Sequence, residues 1–385
     1  MRRVSVIGIG CTPFGKQNGV GIVDLALQAC RAALSDAQVP RNRIDAFYLG
    51  NFVSEALAHQ GSLAPIVAYR LGLEPIPCTK VEGACASSGI AFRHGVLLIA
   101  AGLCDIVLVA GVEKMTAAET GAVTEALASA GDADSEMRLG LTFPGTFGIV
   151  MRRHMYQHGT TREQVAMVSV KNRFNGSTNS KAHFQKPVTI EEILESRLIC
   201  DPLRLYDCTP ISDGAAAAVL CAADRTAEFA GRPVDVIGSG HATGPATLFE
   251  MADLTAFEAS VAAGQQAYRQ AGVAPDDIDV AEVHDCFTIA EITAIEDLGF
   301  VAKGKGGPAV ADGLTALDGT LPTNPSGGLL SKGHPVGATG LAQIYEIVSQ
   351  LRGEAVNQVK DAEIGLAHNL GGTGSVSTVH ILKRR

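Results

Sequence analysis

Val4-Ser5-Val6-Ile7-Gly8 reads as a short β-branched strand closed by glycine, and Val234-Asp235-Val236-Ile237-Gly238 repeats it in the second half of the chain. A helical pattern follows each copy. Asp24 to Asp36 leads into Ala37-Gln38-Val39-Pro40 and Ile44-Asp45; Ala256 to Gln270 leads into Ala271-Gly272-Val273-Ala274 and Ile278-Asp279. Short β-branched runs recur at Ile106-Val107-Leu108-Val109, Val219-Leu220 and Ile364-Gly365-Leu366. Apolar residues at helical spacing alternating with such runs predict an α/β fold, a sheet covered by helices, built from two halves on one plan. Two αβ units can also look alike by chance, so the repeat predicts a class more firmly than a particular fold.

The gross numbers agree with a large core. Of 385 residues, 46% are hydrophobic and only 18% charged, which predicts two or three domains. The net charge is −9 and no run of five or six Lys/Arg occurs, so no nucleic-acid or polybasic membrane role is expected. An acidic chain can still hold an anionic ligand through a local basic rim. The nine cysteines (11, 30, 78, 85, 104, 200, 208, 221, 286) form no Cys-x-x-Cys pair, the usage of a reduced cytosolic protein. Met1-Arg2-Arg3-Val4 enters a strand without a signal-type stretch, and Val96 to Ala101 is too short to span a bilayer. A cytoplasmic enzyme is expected.

Lys114 to about Cys200 differs in texture. Asp132-Ala133-Asp134-Ser135-Glu136 and Asn172-Arg173-Phe174-Asn175-Gly176-Ser177 read as loop punctuation, and Thr161 with Gln164 or Glu163 reads as the cap of a helix over Thr161 to Asn172. An insertion of this length predicts a lid.

Cys85 lies in Lys80-Val81-Glu82-Gly83-Ala84-Cys85-Ala86-Ser87-Ser88-Gly89, between a strand end and an apolar small-residue helix running to about Gly102. Unpaired N–H groups and the helix dipole favour a thiolate there, which predicts a thiol pKa lowered from about 8.5 toward or below neutrality. A buried structural cysteine is the commoner fate of such a residue. Three distant segments argue for chemistry instead: Val283-His284-Asp285-Cys286-Phe287, Ser331-Lys332-Gly333-His334-Pro335-Val336-Gly337-Ala338-Thr339-Gly340, and Ala367-His368-Asn369-Leu370-Gly371-Gly372-Thr373-Gly374. Covalent acyl transfer needs a thiol, a base, a second proton carrier and donors for an oxyanion, and these segments supply those residue types.

With Asp207-Cys208-Thr209-Pro210-Ile211-Ser212-Asp213-Gly214 between them, these motifs resemble, in order and end to end, the thiolase family, in its sterol-carrier-protein-type and archaeal branch. The resemblance implies two βαβαβαββ halves in a five-layer αβαβα core: residues 1–113 with 200–232 returning to them, an inserted lid at 114–199 over the pantetheine arm of coenzyme A, and a second half at 233–385. It implies an acetyl-CoA C-acyltransferase with coenzyme A thioesters as substrates and no resident cofactor. Cys85 would be acylated and His334 would be its base. His284 stands where other thiolases carry an Asn, and with His334 would face an oxyanion; the N–H groups of Cys85 and Gly371 would form the second oxyanion hole. Asn369 occupies the place of a second catalytic cysteine and cannot titrate, so Cys286 is expected as the second acid/base, with His368 the rival. The other histidines show no metal-ligand spacing, and no P-loop or Rossmann fingerprint occurs. A homodimer or homotetramer, a small zinc-ribbon/OB-fold accessory protein and a 3-hydroxy-3-methylglutaryl-CoA synthase are partners by resemblance alone. A ketosynthase, a thiolase-like lyase and a non-catalytic subunit are the competing readings.

Overall fold

A computed structural model describes residues 2–73, 75–229 and 231–385; Met1, which opens the N-terminal reading above, lies outside them. The first half runs β1 (Val4–Cys11), α1 (Ile22–Ala37), β2 (Ala46–Gly50), α2 (Leu63–Leu71), β3 (Cys78–Val81), α3 (Ser87–Ala100), β4 (Ile106–Glu113) and, after a long insertion, β5 (Gly214–Ala222). The second runs β6 (Val234–Thr243), α4 (Glu258–Ala271), β7 (Val280–Glu282), α5 (Thr288–Asp297), α6 (Thr339–Arg352), β8 (Ile364–Gly371) and β9 (Val376–Arg384).

The strand order is β3-β2-β4-β5-β1-β6-β9-β8-β7. Each half therefore has the same internal order, and an isolated parallel bridge between Ala281 and Thr323 stands in the second half where β3 stands in the first. The halves meet where β1 pairs antiparallel with β6, Val4 opposite Val236 and Val6 opposite Val234. Arg352 reinforces that seam, donating to the Ile7 and Arg232 carbonyls at 3.0 and 2.8 Å and pairing with Asp36 at 2.7 Å.

The glycines of the repeated strand explain why helices settle against it. A methyl group on Gly8 or Gly10 would overlap carbonyl oxygens of Ala33 and Ala29 in α1; one on Gly238 or Gly240 would overlap those of Ala267 and Ala263 in α4. Strand and helix backbones are in contact at both places, which only glycine permits. β4 and β5 are buried along their whole length and read as continuous apolar runs, as strands covered on both faces should. One cover is α1 and α2. The other is a shared middle layer, α3 and α6, whose backbones touch where Gly340 faces Gly89. With α4 outside the second half, the layers run helix, sheet, helix, sheet, helix.

Between β4 and β5 lie the helices Phe143–His158 and Arg162–Ser177 and the hairpin Leu198–Cys200/Leu203–Arg204. Thr161 caps the second helix in a capping box with Gln164. That helix continues through Asn172 to Ser177, where the polar texture suggested a loop. Long-range contacts override local propensity: Asn172, Arg173 and Asn175 are buried, and Asn175 donates to Asn324 O at 3.1 Å. Among the described residues, no helix is long and apolar enough to cross a membrane.

Candidate active site

Cys85 sits one turn before α3. Past β3 the chain makes a 3₁₀ turn over Ala84–Ala86, with Ala84 at φ 49°, a left-handed conformation costing about 1–2 kcal/mol outside glycine. Ser87 clamps the turn: its hydroxyl accepts the Gly83 N–H at 3.0 Å and donates to Ala84 O at 2.6 Å.

The histidines arrive from the second half, each in a defined tautomer. Thr339, the first residue of α6, donates its hydroxyl proton to Pro335 O at 3.1 Å, so it accepts the N–H of His334 Nδ1 at 2.7 Å. The Nε2 lone pair of His334 is thereby left as a base. The Asn369 amide donates to His284 Nδ1 at 3.1 Å, so His284 carries its proton on Nε2 and offers it as a donor. The two rings meet edge to face, centroids 4.9 Å apart. The Cys85 sulfur and one ring nitrogen of each histidine lie within 4.8 Å of one another. Cys286 follows His284 by two residues, and its sulfur faces its own N–H and that of Phe287, at the start of α5.

These groups share a cavity of about 200 Å³ lined by Cys85, His284, Cys286, His334 and Gly372, with Met115, Val123, Leu127, Phe143, Phe147 and Leu370 as apolar wall. Much of that wall belongs to the inserted segment. His368 does not line it. Its Nδ1 accepts the His284 N–H at 3.5 Å and its Nε2 meets Ser260 Oγ at 2.8 Å, behind the site. The N–H groups facing the Cys85 sulfur are its own and that of Gly372. The sequence assigned Gly371, which instead closes β8; a methyl there would overlap the Gly83 carbonyl.

Electrostatics correct a second expectation. Burial pushes the Cys85 thiol up to about 12, and Glu113 adds to the effect, while the Cys85 and Gly372 N–H groups oppose it. A desolvated thiolate loses more than one helix start returns. Burial likewise lifts the Cys286 thiol well above its usual value, with Cys85 and Asp285 acting in the same direction. It depresses His334 to about 3 and His284 well below 6.5. These shifts favour two thiols and two neutral imidazoles in the site at neutral pH.

Behind Cys85, Glu113 at the end of β4 accepts from Asn51 Nδ2 at 2.7 Å, Phe52 N at 3.0 Å and Gly337 N at 3.1 Å, which ties the His334 loop to the first half. Burial raises its carboxyl to about 7. Asp285 is equally buried and accepts from Leu329 N at 2.7 Å and Asn172 at 2.8 Å, joining the His284 loop to the short helix that precedes His334. The sequence reading missed Thr339, Asn369 as an orienting group, Glu113 and Asp285. Their signal was proximity to the motifs, without any indication of which atom each would hold. The one thiol and two imidazoles also have the chemistry and spacing of a soft-metal ligand set.

Residues 4–224 match the family model described as thiolase, N-terminal domain, and residues 240–384 that described as thiolase C-terminal domain-like. The chain is 49% identical over 385 residues to an acetyl-CoA acetyltransferase of Methanothermobacter thermautotrophicus, covering the whole of both chains. It is 35% identical over 395 residues to sterol carrier protein 2 of Oryctolagus cuniculus, covering 98% of this chain and 72% of that protein. Among solved structures, an Ltp2-ChsH2(DUF35) aldolase superposes with a TM-score of 0.87 at 28% identity, covering 99% of this chain and 98% of that one. Two family models spanning both halves, and full-length identity well above the level at which chains diverge in fold, place this chain in the thiolase family.

Proposed function

We propose that this thiolase-type acyltransferase condenses an acyl-CoA with acetyl-CoA, or cleaves a 3-ketoacyl-CoA with coenzyme A, through an acyl thioester on Cys85. One observation carries the reading: a thiol and one ring nitrogen from each of two imidazoles converge within 4.8 Å in a cavity that Cys286 also lines.

His334 Nε2 takes the Cys85 proton as sulfur attacks the thioester carbonyl, and the N–H groups of Cys85 and Gly372 receive the oxyanion. The departing coenzyme A thiolate takes the proton of Cys286. Acylation therefore leaves an imidazolium at His334 and a thiolate at Cys286, charges that the resting site does not carry. The Cys286 thiolate removes an α-proton from the incoming acetyl-CoA. His284 Nε2–H and the His334 imidazolium hold the enolate oxygen. The enolate carbon attacks the acyl group, Cys85 leaves as thiolate, and His334 returns its proton.

The insertion 114–199 acts as the lid over the substrate arm; its Val123, Leu127, Phe143 and Phe147 on the cavity wall support that role. No resident cofactor enters the scheme, and a cytoplasmic homodimer or homotetramer fits the family resemblance, with light scattering as the check. The DUF35 component in the name of the aldolase structure supports a small accessory partner; the 3-hydroxy-3-methylglutaryl-CoA synthase rests on resemblance alone. The same likeness favours a lyase as the second reading. Incubation with acetyl-CoA and peptide mass spectrometry should find acetyl on Cys85, and acetyl exchange by a Cys85→Ala variant would sink the proposal.

A further inference from the structure

The helix Arg162–Ser177 carries two other cations, Arg162 and Lys171, and each has a carboxylate partner. Arg162 pairs with Asp207 at 3.1 Å, Lys171 with Glu291 at 2.8 Å, and Asn172 with Asp285 and Glu291 at 2.8 Å each. Arg173 is the exception. It is only 6% exposed, its Nε is buried with no acceptor, and no carboxylate among the described residues pairs with it. The guanidinium lies 3.9 Å from the Phe184 ring centroid and 5.3 Å from that of Tyr206. Stacking contributes about 0.5–2 kcal/mol and answers the faces of the group, leaving its in-plane N–H edge unused. Burial pulls its pKa down to about 10. A buried cation without an anion costs more than stacking returns, which points to a site built for an absent anion.

The group opens into a second cavity of about 470 Å³. Cys208, Thr209 and Pro210 line both this cavity and the catalytic one, so the two adjoin. Glu192 on its rim is already engaged, accepting the Thr189 N–H at 2.8 Å. Lys186 adds a second cation.

We propose that Arg173 receives a phosphate group of the acyl carrier on its planar N–H edge, and so distinguishes a phosphate-bearing thioester from a bare pantetheine thioester. This rests on the acyltransferase reading of the adjoining cavity. The test compares kcat/KM for acetyl-CoA and S-acetyl-pantetheine in the wild type and in Arg173→Gln. The preference for acetyl-CoA should fall at least tenfold, through KM. Adenosine 3′,5′-bisphosphate should compete with acetyl-CoA and lose at least tenfold in the variant. An unchanged preference overturns the proposal, as does a variant that loses only inhibition by inorganic diphosphate, which would make the ligand a free anion. Should Arg173→Gln fail to fold, Arg173→Lys keeps the charge and lacks the fork, and the same ratio is read. Failure of both thioesters to acylate Cys85 in the wild type removes the acyltransferase reading; binding of adenosine 3′,5′-bisphosphate, measured by calorimetry, judges Arg173 separately.

Discussion

The two halves share a strand order and a middle-layer helix entered through a 3₁₀ turn, yet they finish their strand tips differently. In the first half Asn51 follows β2 and Glu113 ends β4; they bond to each other and to backbone and do not line the cavity. In the second half β7 and β8 end beside His284 and Gly372, which do. In the proposed mechanism the first half contributes Cys85 to the chemistry. One pair of strand tips is held by bonds among its own residues, and on the proposed mechanism the other carries proton transfer.

The sharpest test of that division is the base. His334→Ala should lower the rate of Cys85 acetylation by about 10²–10⁴-fold, read by single-turnover mass spectrometry; a fall under tenfold would place the base elsewhere. The next test separates the half-reactions. Cys286→Ala should still acetylate Cys85 in one turnover yet fail to exchange the α-protons of acetyl-CoA with deuterated solvent. Normal exchange in that variant together with its loss in His368→Ala would transfer the role to His368, against its position behind the cavity.

Smaller effects contrast the tips directly. Asn369→Leu removes the donor that sets the His284 tautomer and should lower kcat about tenfold while the melting temperature moves by a few degrees. Asn51→Leu leaves Glu113 short of a partner and should do the reverse, costing about 1–3 kcal/mol of stability.

The pH dependence of stability has two limbs. His334, His368 and His380 are depressed to about 3 by burial. Their stabilisation is complete above the unfolded value near 6.5 and is lost as pH falls toward 3, each contributing about 1.4 kcal/mol per pH unit. Glu113 has the opposite sign. Raised to about 7, it stabilises fully below the unfolded value near 4.5 and ceases to do so as pH rises through 7. Glu113→Gln should therefore gain on the wild type as pH rises from about 4.5 to 7, and a melting difference that is flat across that window would show that Glu113 is already ionised.

Much of the site was legible because acyl transfer demands residue types that are rare in glycine-rich loops, and four such motifs occur in one order. The duplicated strands were legible because a helix can touch a strand only where the strand has glycine. Other features depend on distances that no local pattern encodes. The Cys85 pKa is set by how completely the insertion and the second half exclude water. Gly372 in place of Gly371 is a matter of where β8 stops. The helix through Asn172 to Ser177 is held by contacts with residues more than a hundred positions away, such as Asn324.

The seam between β1 and β6 bears on the order in which the chain is made. The proposed nucleophile is translated in the first half, while its proposed base His334, the His284 and Gly372 donors and Cys286 all follow β6. A nascent chain therefore displays Cys85 for a long interval before His334 is made. On the proposed mechanism acetylation of Cys85 waits for the second repeat to bring His334 beside it, so an acetylated Cys85 becomes a direct report that synthesis and folding have both finished.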